Sequence, residues 1–202
     1  MRNEFLRTLT TSSVQSEQTR SYGRARVPSS GTATQLLGPE EQTFIAARDS
    51  FYLASINEND WPYVQHRGGP KGFVRVLNEN QIAFGDYTGN RQLLSAGNVR
   101  ANRRVALFFM DYPARERLKI IGHARVLMPD EARDLIASLQ VPTGAKIERV
   151  FVIDVVGFDW NCPKYITPRF TADEVEEAVM PLKQRIAELE TLLAANQKRS
   201  PV

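Results

Sequence analysis

Two segments of the sequence place arginine beside glycine, a combination that lets backbone and cation approach a small anionic ligand. The first, residues 65–73, reads Gln-His-Arg-Gly-Gly-Pro-Lys-Gly-Phe. Its glycines permit close contact with a flat ligand, and Gln65, His66 and Arg67 lie where a predicted strand ends. These three side chains are therefore able to point into a cleft. Composition alone favours a simpler interpretation, a glycine-rich hairpin loop that carries surface cations.

The second segment, residues 85–92, reads Gly-Asp-Tyr-Thr-Gly-Asn-Arg-Gln and joins a predicted strand to a helix that we expect to begin near Gln92. The N-terminus of a helix offers unpaired amides and the positive end of its dipole, and Arg91 adds a bidentate hydrogen-bond donor. Together these groups suit a phosphate. An asparagine-capped helix with a solvated arginine is equally compatible with the spacing.

Two further segments carry charged or aromatic side chains without a specific signature. Residues 115–119, Arg-Glu-Arg-Leu-Lys, open a predicted strand, and their spacing favours an exposed charged turn. Residues 160–170 contain prolines that interrupt strand pairing, so this segment either closes over a ligand or forms a packed linker. Cys162 has no evident base to activate it as a nucleophile. His66 and His123 are far apart, so we expect no zinc site and assign no catalytic residue.

The elements that position these segments are mostly predicted strands. Apolar or alternating runs separated by short turns favour an antiparallel barrel over a parallel α/β sheet. The predicted strands cover residues 51–56, 63–67, 73–77, 82–86, 105–110, 118–127 and 150–156. Helices are expected to begin near Pro39 and to cover roughly 92–102 and 130–139. We therefore predict a mainly β domain with flanking helices.

The chain divides into an arm over residues 1–33, a barrel domain over 34–170 and a C-terminal segment over 171–202. The arm is rich in polar residues without periodicity, and we expect it to be mobile or to lie over a partner. The last segment opens with a capping box formed by Thr171 and Glu174. Apolar residues then alternate in steps of four and three, as in a heptad seam. They are Val175, Val179, Leu182, Ile186, Leu189 and Leu193.

The sequence leaves two features of this last segment open. Pro181 lies inside the heptad pattern, where it predicts either a kink or a new start of the helix. The apolar seam is compatible with a helix packed on its own domain and with one that packs against a partner subunit.

Composition and charge exclude several classes of function. The formal net charge of +3 and the pI near 9.1 reflect a modest excess of Lys and Arg, and no segment gathers them on one face as nucleic-acid binding requires. A single cysteine excludes an intramolecular disulfide and fits a reducing compartment. No apolar run approaches the roughly 20 residues of a membrane span, and the N-terminus lacks a signal-peptide pattern. We expect a cytoplasmic protein that binds neither nucleic acid nor membranes.

The order of these segments resembles the FMN-binding split-barrel proteins related to pyridoxamine 5'-phosphate oxidase. The resemblance covers roughly residues 39–170, about two thirds of the chain. Several motifs in one order are more specific than any one of them. The matching segments are residues 44–54, 62–70, 89–92, 117–122 and 161–163.

The resemblance implies a six-stranded antiparallel split barrel that forms a homodimer, with one FMN in each of two clefts at the subunit interface. It assigns the turn at Asn90, Arg91 and Gln92 to the phosphate and the strand that carries Arg75 to the flavin ring. It places Arg117 where the partner subunit reaches the flavin. The expected cofactor-binding residues are Gln65, His66, Arg67, Arg75, Asp86, Asn90, Arg91, Gln92, Arg117, Trp160 and Arg169.

One departure from the family pattern concerns the substrate. The oxidases carry an Arg-x-His motif near the C-terminus, and Lys164-Tyr165-Ile166 stands in its place here. We therefore expect an FMN-binding oxidoreductase with an unassigned small-molecule substrate rather than a pyridoxamine phosphate oxidase. Two alternatives remain open: a non-catalytic flavin-binding or redox-sensing protein, and a split barrel that binds heme or deazaflavin.

Overall fold

The computed structural model describes residues 3–28, 35–160 and 164–199, with side chains to residue 195. Asn161, Cys162 and Pro163, which carry one of the matching segments, lie outside the described residues. The same holds for residues 29–34, at the predicted boundary between arm and barrel. The division of the chain into three parts stays a prediction.

The described chain forms one antiparallel sheet in the order β2-β1-β5-β6-β7-β4-β3. Its strands are β1 (Ser50–Ile56), β2 (Pro62–Gly68), β3 (Val74–Asn78), β4 (Gln81–Tyr87), β5 (Arg104–Asp111), β6 (Glu116–Leu127) and β7 (Ile147–Trp160). The helices are α1 (Glu4–Leu9), α2 (Ser12–Tyr22), α3 (Pro39–Ala46), α4 (Leu94–Ala101), α5 (Arg133–Ser138) and α6 (Ala172–Arg199). The predicted fold class is confirmed, with seven strands in place of the six that the resemblance implies.

The sheet curls around an aromatic core. Strand β1 is separated from β4 by β5, β6 and β7 in the sheet order, yet the rings of Phe51 and Phe84 lie 5.1 Å apart. Phe109 and Phe151 continue this cluster at ring distances of 4.9 Å from Phe51 and 5.0 Å from Phe84. Contacts across that many strands require a strongly bent sheet, which gives the split-barrel shape. Strands β2 and β3 form its two open edges.

The N-terminal arm contains two helices that the sequence pattern did not predict. Helix α1 packs on β7 at Gly157, where a Cβ atom would lie 2.6 Å from the backbone nitrogen of Phe5. Only glycine permits this approach. The Phe5 side chain is buried, and the Asn3 side chain donates a 2.9 Å hydrogen bond to Asp159. The first helix therefore lies on its own domain.

Helix α6 stands apart from the sheet. The capping box is present as predicted, since the Thr171 and Glu174 backbone amides donate to the side chain of the other residue. The helix continues through Pro181 without a new start. From residue 172 to 195 every side chain except Val179 is exposed. Within the described ranges, no helix has the length and apolar character needed to cross a membrane.

Candidate functional site

Six of the predicted site residues line one cleft between β2, β4 and the start of α4. They are Gln65, Arg67, Asp86, Asn90, Arg91 and Gln92. The cleft has a volume of about 190 Å³, and β7 contributes Glu148 and Arg149 to its wall. The two glycine- and arginine-bearing segments therefore meet in space, which their separation along the chain did not require.

Strand register explains why Gln65 and Arg67 point into this cleft. Arg67 pairs with Phe51 of β1, and Gln65 pairs with Leu53. Paired residues share a face of the sheet, and both β1 partners belong to the core. The guanidinium of Arg67 accordingly lies over two core rings, 5.8 Å from the centre of Phe84 and 5.3 Å from that of Phe151.

Asp86 bridges two arginines at the wall of the cleft. Arg67 Nη1 donates to Asp86 Oδ1 at 2.5 Å, and Arg149 Nε donates to Oδ2 at 2.8 Å. The Asp86 side chain is 9% exposed, and the two arginine side chains are nearly as buried. Burial works to lower the pKa of Arg149, but the pairs with Asp86 and Glu148 outweigh it and raise the pKa. The Arg149 guanidinium therefore stays charged at the wall of the cleft.

Arg67 retains an unused donor. Its Nε atom is buried and has no hydrogen-bond partner among the described residues. A buried donor left unpaired costs roughly 1–3 kcal/mol, so a ligand or water oxygen that accepts this hydrogen would stabilise the site.

The turn before α4 presents Arg91 at the mouth of the cleft. Asn90 accepts a 3.1 Å hydrogen bond from the Gln92 amide, and the backbone of Arg91 is left-handed with φ 60°. Helix α4 begins at Leu94, two residues later than predicted, so Asn90 shapes the turn rather than capping the helix. Within the described part of the chain, Arg91 pairs with no carboxylate. Ser95 in the first turn of α4 donates to Gln65 Oε1 at 2.8 Å, which ties the helix to β2.

Three predicted residues lie away from this cleft in the described structure. His66 lies on the other face of β2, with its ring 5.6 Å from that of Tyr52. Arg75 donates to the Ser138 carbonyl beside α5. Trp160 donates to Glu41 Oε1 at 2.7 Å and packs on α3.

The last two predicted residues, Arg117 and Arg169, share a second and larger cavity on the outer face of the sheet. It has a volume of about 740 Å³ and is mostly apolar, with aromatic side chains from β1 and β5. Arg169 lies 5.1 Å from the ring centre of Tyr112, and Arg117 lies 5.9 Å from that of Phe108. Burial and a contact with Tyr52 raise the pKa of Tyr112, while Arg169 opposes the rise. We call this region the outer cavity.

Arg149 was not identified from the sequence. It stands at the start of β7, just before the apolar run at which the sequence predicted that strand to begin. In the structure β7 begins at Ile147, and Arg149 pairs directly with Asp86 of β4. Asp86 and Arg149 come together only because β4 pairs with β7, and the local sequence around Arg149 does not predict that pairing.

The described residues contain no group of three or more His, Cys, Asp or Glu side chains able to hold a metal ion. The lining of the cleft offers arginine donors, side-chain amides and the carboxylates of Asp86 and Glu148. Such a donor set suits an anion with several oxygen acceptors.

A sequence model described as pyridoxamine 5'-phosphate oxidase matches residues 37–157. The match covers more than half of the chain and includes every residue that lines the cleft. The chain therefore belongs to the pyridoxamine 5'-phosphate oxidase family, as the resemblance in its sequence predicted. Comparison with curated protein sequences finds no match.

Solved structures with a similar chain path include several proteins of low sequence identity. One is a putative pyridoxamine 5'-phosphate oxidase from Lactobacillus delbrueckii, with TM-score 0.48, 21% identity and coverage of 62% of this chain and 95% of that chain. Another is an FMN-binding protein from Syntrophomonas wolfei, with TM-score 0.46, 13% identity and coverage of 60% and 83%. A third is an FAD-binding protein from Mycobacterium smegmatis, with TM-score 0.45, 11% identity and coverage of 62% and 96%.

Proposed function

We propose that the cleft binds the phosphate of FMN and that the protein is a flavin-dependent oxidoreductase of unassigned small-molecule substrate. The observation that carries the proposal is the convergence of Arg67, Arg91 and Arg149 on one small cleft. The family match supports a flavin as the molecule that supplies the phosphate. When bound, FMN supplies hydride transfer, and the protein supplies binding, orientation and charge.

The residues present fit a phosphate group. Arg91 has no carboxylate partner among the described residues, and the buried Nε of Arg67 lacks an acceptor. Asp86 holds Arg67 and Arg149 in place from the wall of the cleft. A phosphate brings the acceptor oxygens that this arrangement lacks, and charge-assisted hydrogen bonds to arginine are among the stronger polar contacts.

The size of the cleft indicates where the rest of the cofactor lies. Small-molecule sites usually measure about 300–1,000 Å³, whereas this cleft measures about 190 Å³. It is large enough for the phosphate end of FMN but not for the isoalloxazine ring. We therefore expect the ring to lie outside this cleft.

The distribution of the predicted residues supports a homodimer with shared sites. Arg67 points toward the core face of the sheet, whereas Arg117 and Arg169 line the outer cavity on the opposite face. Side chains on opposite faces of one sheet are poorly placed to contact the same flavin. A second copy that packs its outer face over the β2 edge would complete the site.

Replacing Arg91 tests the phosphate assignment. A hydrogen bond to a charged group contributes about 1.5–3 kcal/mol, so Arg91→Ala should weaken FMN binding by about one to two decades in Kd. Quenching of flavin fluorescence during titration measures the affinity. Arg100→Ala is the matched control, because Arg100 is exposed at the far end of α4 and outside the cleft. Equal affinity of Arg91→Ala and wild type would reject the assignment.

Two measurements separate the proposed function from its alternatives. The visible spectrum of the purified protein should show oxidised flavin absorbing at about 450 nm, whereas heme and deazaflavin give different spectra. Anaerobic mixing with NADPH, or with a panel of amines and carbonyl compounds, should then bleach that band. A flavin spectrum that no compound bleaches would indicate a binding or sensing protein without turnover.

A further inference from the structure

Helix α6 exposes an apolar seam along its whole described length. Val175, Leu182, Ile186, Leu189 and Leu193 are all between 42% and 63% exposed. Helical stability in proteins comes mainly from packing of an apolar face, and this seam has no packing partner among the described residues. A 28-residue helix with such a face needs something to cover it.

The branching of the seam residues selects the kind of partner. In heptad notation two of the three a positions carry residues branched at Cβ, Val179 and Ile186, and the third carries Leu193. Two of the three d positions carry leucine, Leu182 and Leu189, and the first carries Val175. Residues branched at Cβ in a positions, together with leucine in d positions, favour a parallel pair of helices. The same pattern disfavours trimers and tetramers, which prefer isoleucine at d.

The flanking charges fit a second copy of the same helix. Arg185 occupies a g position, and Glu190 lies five residues later at an e position. In a parallel pair, a g residue of one helix faces the e residue five places later in the other. The pair therefore gains two Arg185–Glu190 contacts related by its symmetry. In the single chain Arg185 instead contacts Glu188 at 2.8 Å on the exposed side of α6.

Pro181 is compatible with this arrangement. It occupies a c position, which points away from the partner in a two-stranded coil. Its ring therefore does not obstruct the seam, and the structure already accommodates it within a continuous helix.

We propose that α6 forms a parallel, in-register two-stranded coiled coil with α6 of a second copy of this chain. The proposal rests on the seam and its charges, and no residue of the FMN cleft takes part. It therefore stands or falls independently of the proposed cofactor.

Disulfide trapping in the full-length chain tests the alignment. Cys162→Ser first removes the native thiol, and Leu189→Cys then introduces a thiol at a d position. In a parallel coil the two introduced thiols lie side by side and should cross-link rapidly under mild oxidation with oxidised glutathione. Thr191→Cys, on the opposite side of α6, is the matched control and should cross-link slowly. The readout is the covalent dimer on a non-reducing gel.

Other arrangements give different results in this test. An antiparallel pair centred on the seam would place the two 189 positions roughly 15 Å apart, at 1.5 Å per residue. Packing of α6 on a barrel would also keep them apart. Either arrangement would leave Leu189→Cys uncross-linked and overturn the proposal. Equal rates for the seam and control variants would overturn it as well.

A charge exchange tests the register without relying on one cysteine position. Arg185→Glu in the Leu189→Cys background places glutamate opposite Glu190 and should slow cross-linking severalfold. Adding Glu190→Arg restores an opposite-charge pair and should restore the rate. The second change does not rebuild the Arg185–Glu188 contact within the chain, so recovery reports the contact between chains. Failure to recover would contradict the parallel register.

Discussion

At the scale of single residues, Asp86 is the side chain on which the cleft most depends. It accepts from Arg67 and Arg149 at once and is almost fully buried. Removing one partner of a buried ion pair is far more costly than the pair is worth, because the other charge is left uncompensated. Here two arginines would be left facing each other.

We expect Asp86→Asn to lower the free energy of unfolding by about 3 kcal/mol for this reason. Urea denaturation followed by tryptophan fluorescence measures the loss. Asp130→Asn serves as the control, since Asp130 is exposed and outside the cleft. Inorganic phosphate should raise the Tm of the Asp86 variant more than that of the wild type, because a bound anion offsets the repulsion between the arginines. An unchanged stability would show that Asp86 does not hold the two cations.

Single residues also show which parts of the candidate site could be predicted from the sequence and which could not. Gln65 and Arg67 were predicted because they end a strand just before a glycine-rich turn, and Arg91 because it precedes the N-terminus of a predicted helix. Their common cleft is observed, while their contact with FMN stays a prediction. His66 was grouped with its neighbours, but alternation along β2 turns it to the other face. Recognising Arg149 requires the register between β4 and β7, which is a tertiary property.

At the scale of elements, Asp154 links three strands across the sheet. Its carboxylate accepts from Gln81 of β4 at 2.7 Å and from Arg125 of β6 at 2.9 Å. Burial works to raise the pKa of Asp154, but these hydrogen bonds and the nearby charge of Arg103 outweigh it and lower the pKa. The folded state therefore favours the ionised form.

This shift predicts a pH-dependent contribution to stability. A lowered pKa stabilises the fold above the unfolded value of about 3.9, and the contribution is lost as the pH falls through the folded value. Asp154 is partly exposed, so Asp154→Asn should cost only about 0.5–1 kcal/mol at pH 7. The difference from wild type should shrink below about pH 4. Denaturation curves at pH 7 and at about pH 3.5 measure it, and an unchanged difference would contradict the prediction.

The elements themselves were largely predictable. Each strand run has the alternation or β-branched content that predicts a strand, and the boundaries differ from prediction by a few residues. The exceptions are α1 and α2, whose sequences lack an apolar period. Their start signals are local, since Asn3 and Thr11 cap them through side-chain oxygens. Helix α1 is further stabilised by contact with Gly157. Because Gly157 is far from Phe5 along the chain, the local sequence of α1 does not predict this contact.

At the scale of the whole molecule, the outer face of the sheet is the surface expected to bind a second copy. Val64 on this face is 60% exposed and lines the outer cavity with Tyr52. A buried charge without a partner is strongly unfavourable in an interface. We expect Val64→Glu to weaken FMN binding and, when Leu189→Glu also disables the proposed α6 coil, to yield monomers at concentrations where Leu189→Glu alone is dimeric.

Light scattering and flavin titration on the same samples check both effects. Val141→Glu is the control, because Val141 is also apolar and exposed but lies outside the outer cavity. A Val64 variant that stays dimeric with full FMN affinity would show that this face is not the shared interface. Disruption of the α6 coil alone should not reduce FMN affinity, so a loss of affinity reports on the outer face of the sheet.

Strand β2 has a consequence for how this protein tolerates change. Its odd-numbered residues face the cleft, and its even-numbered residues face the outer side of the sheet, where Val64 lines the outer cavity. Point substitutions can therefore change the side chains of one surface while leaving those of the other in place. Deleting or inserting one residue within the strand would exchange the two sets together, since side chains alternate strictly. The strand should therefore tolerate a single substitution better than a change in its length.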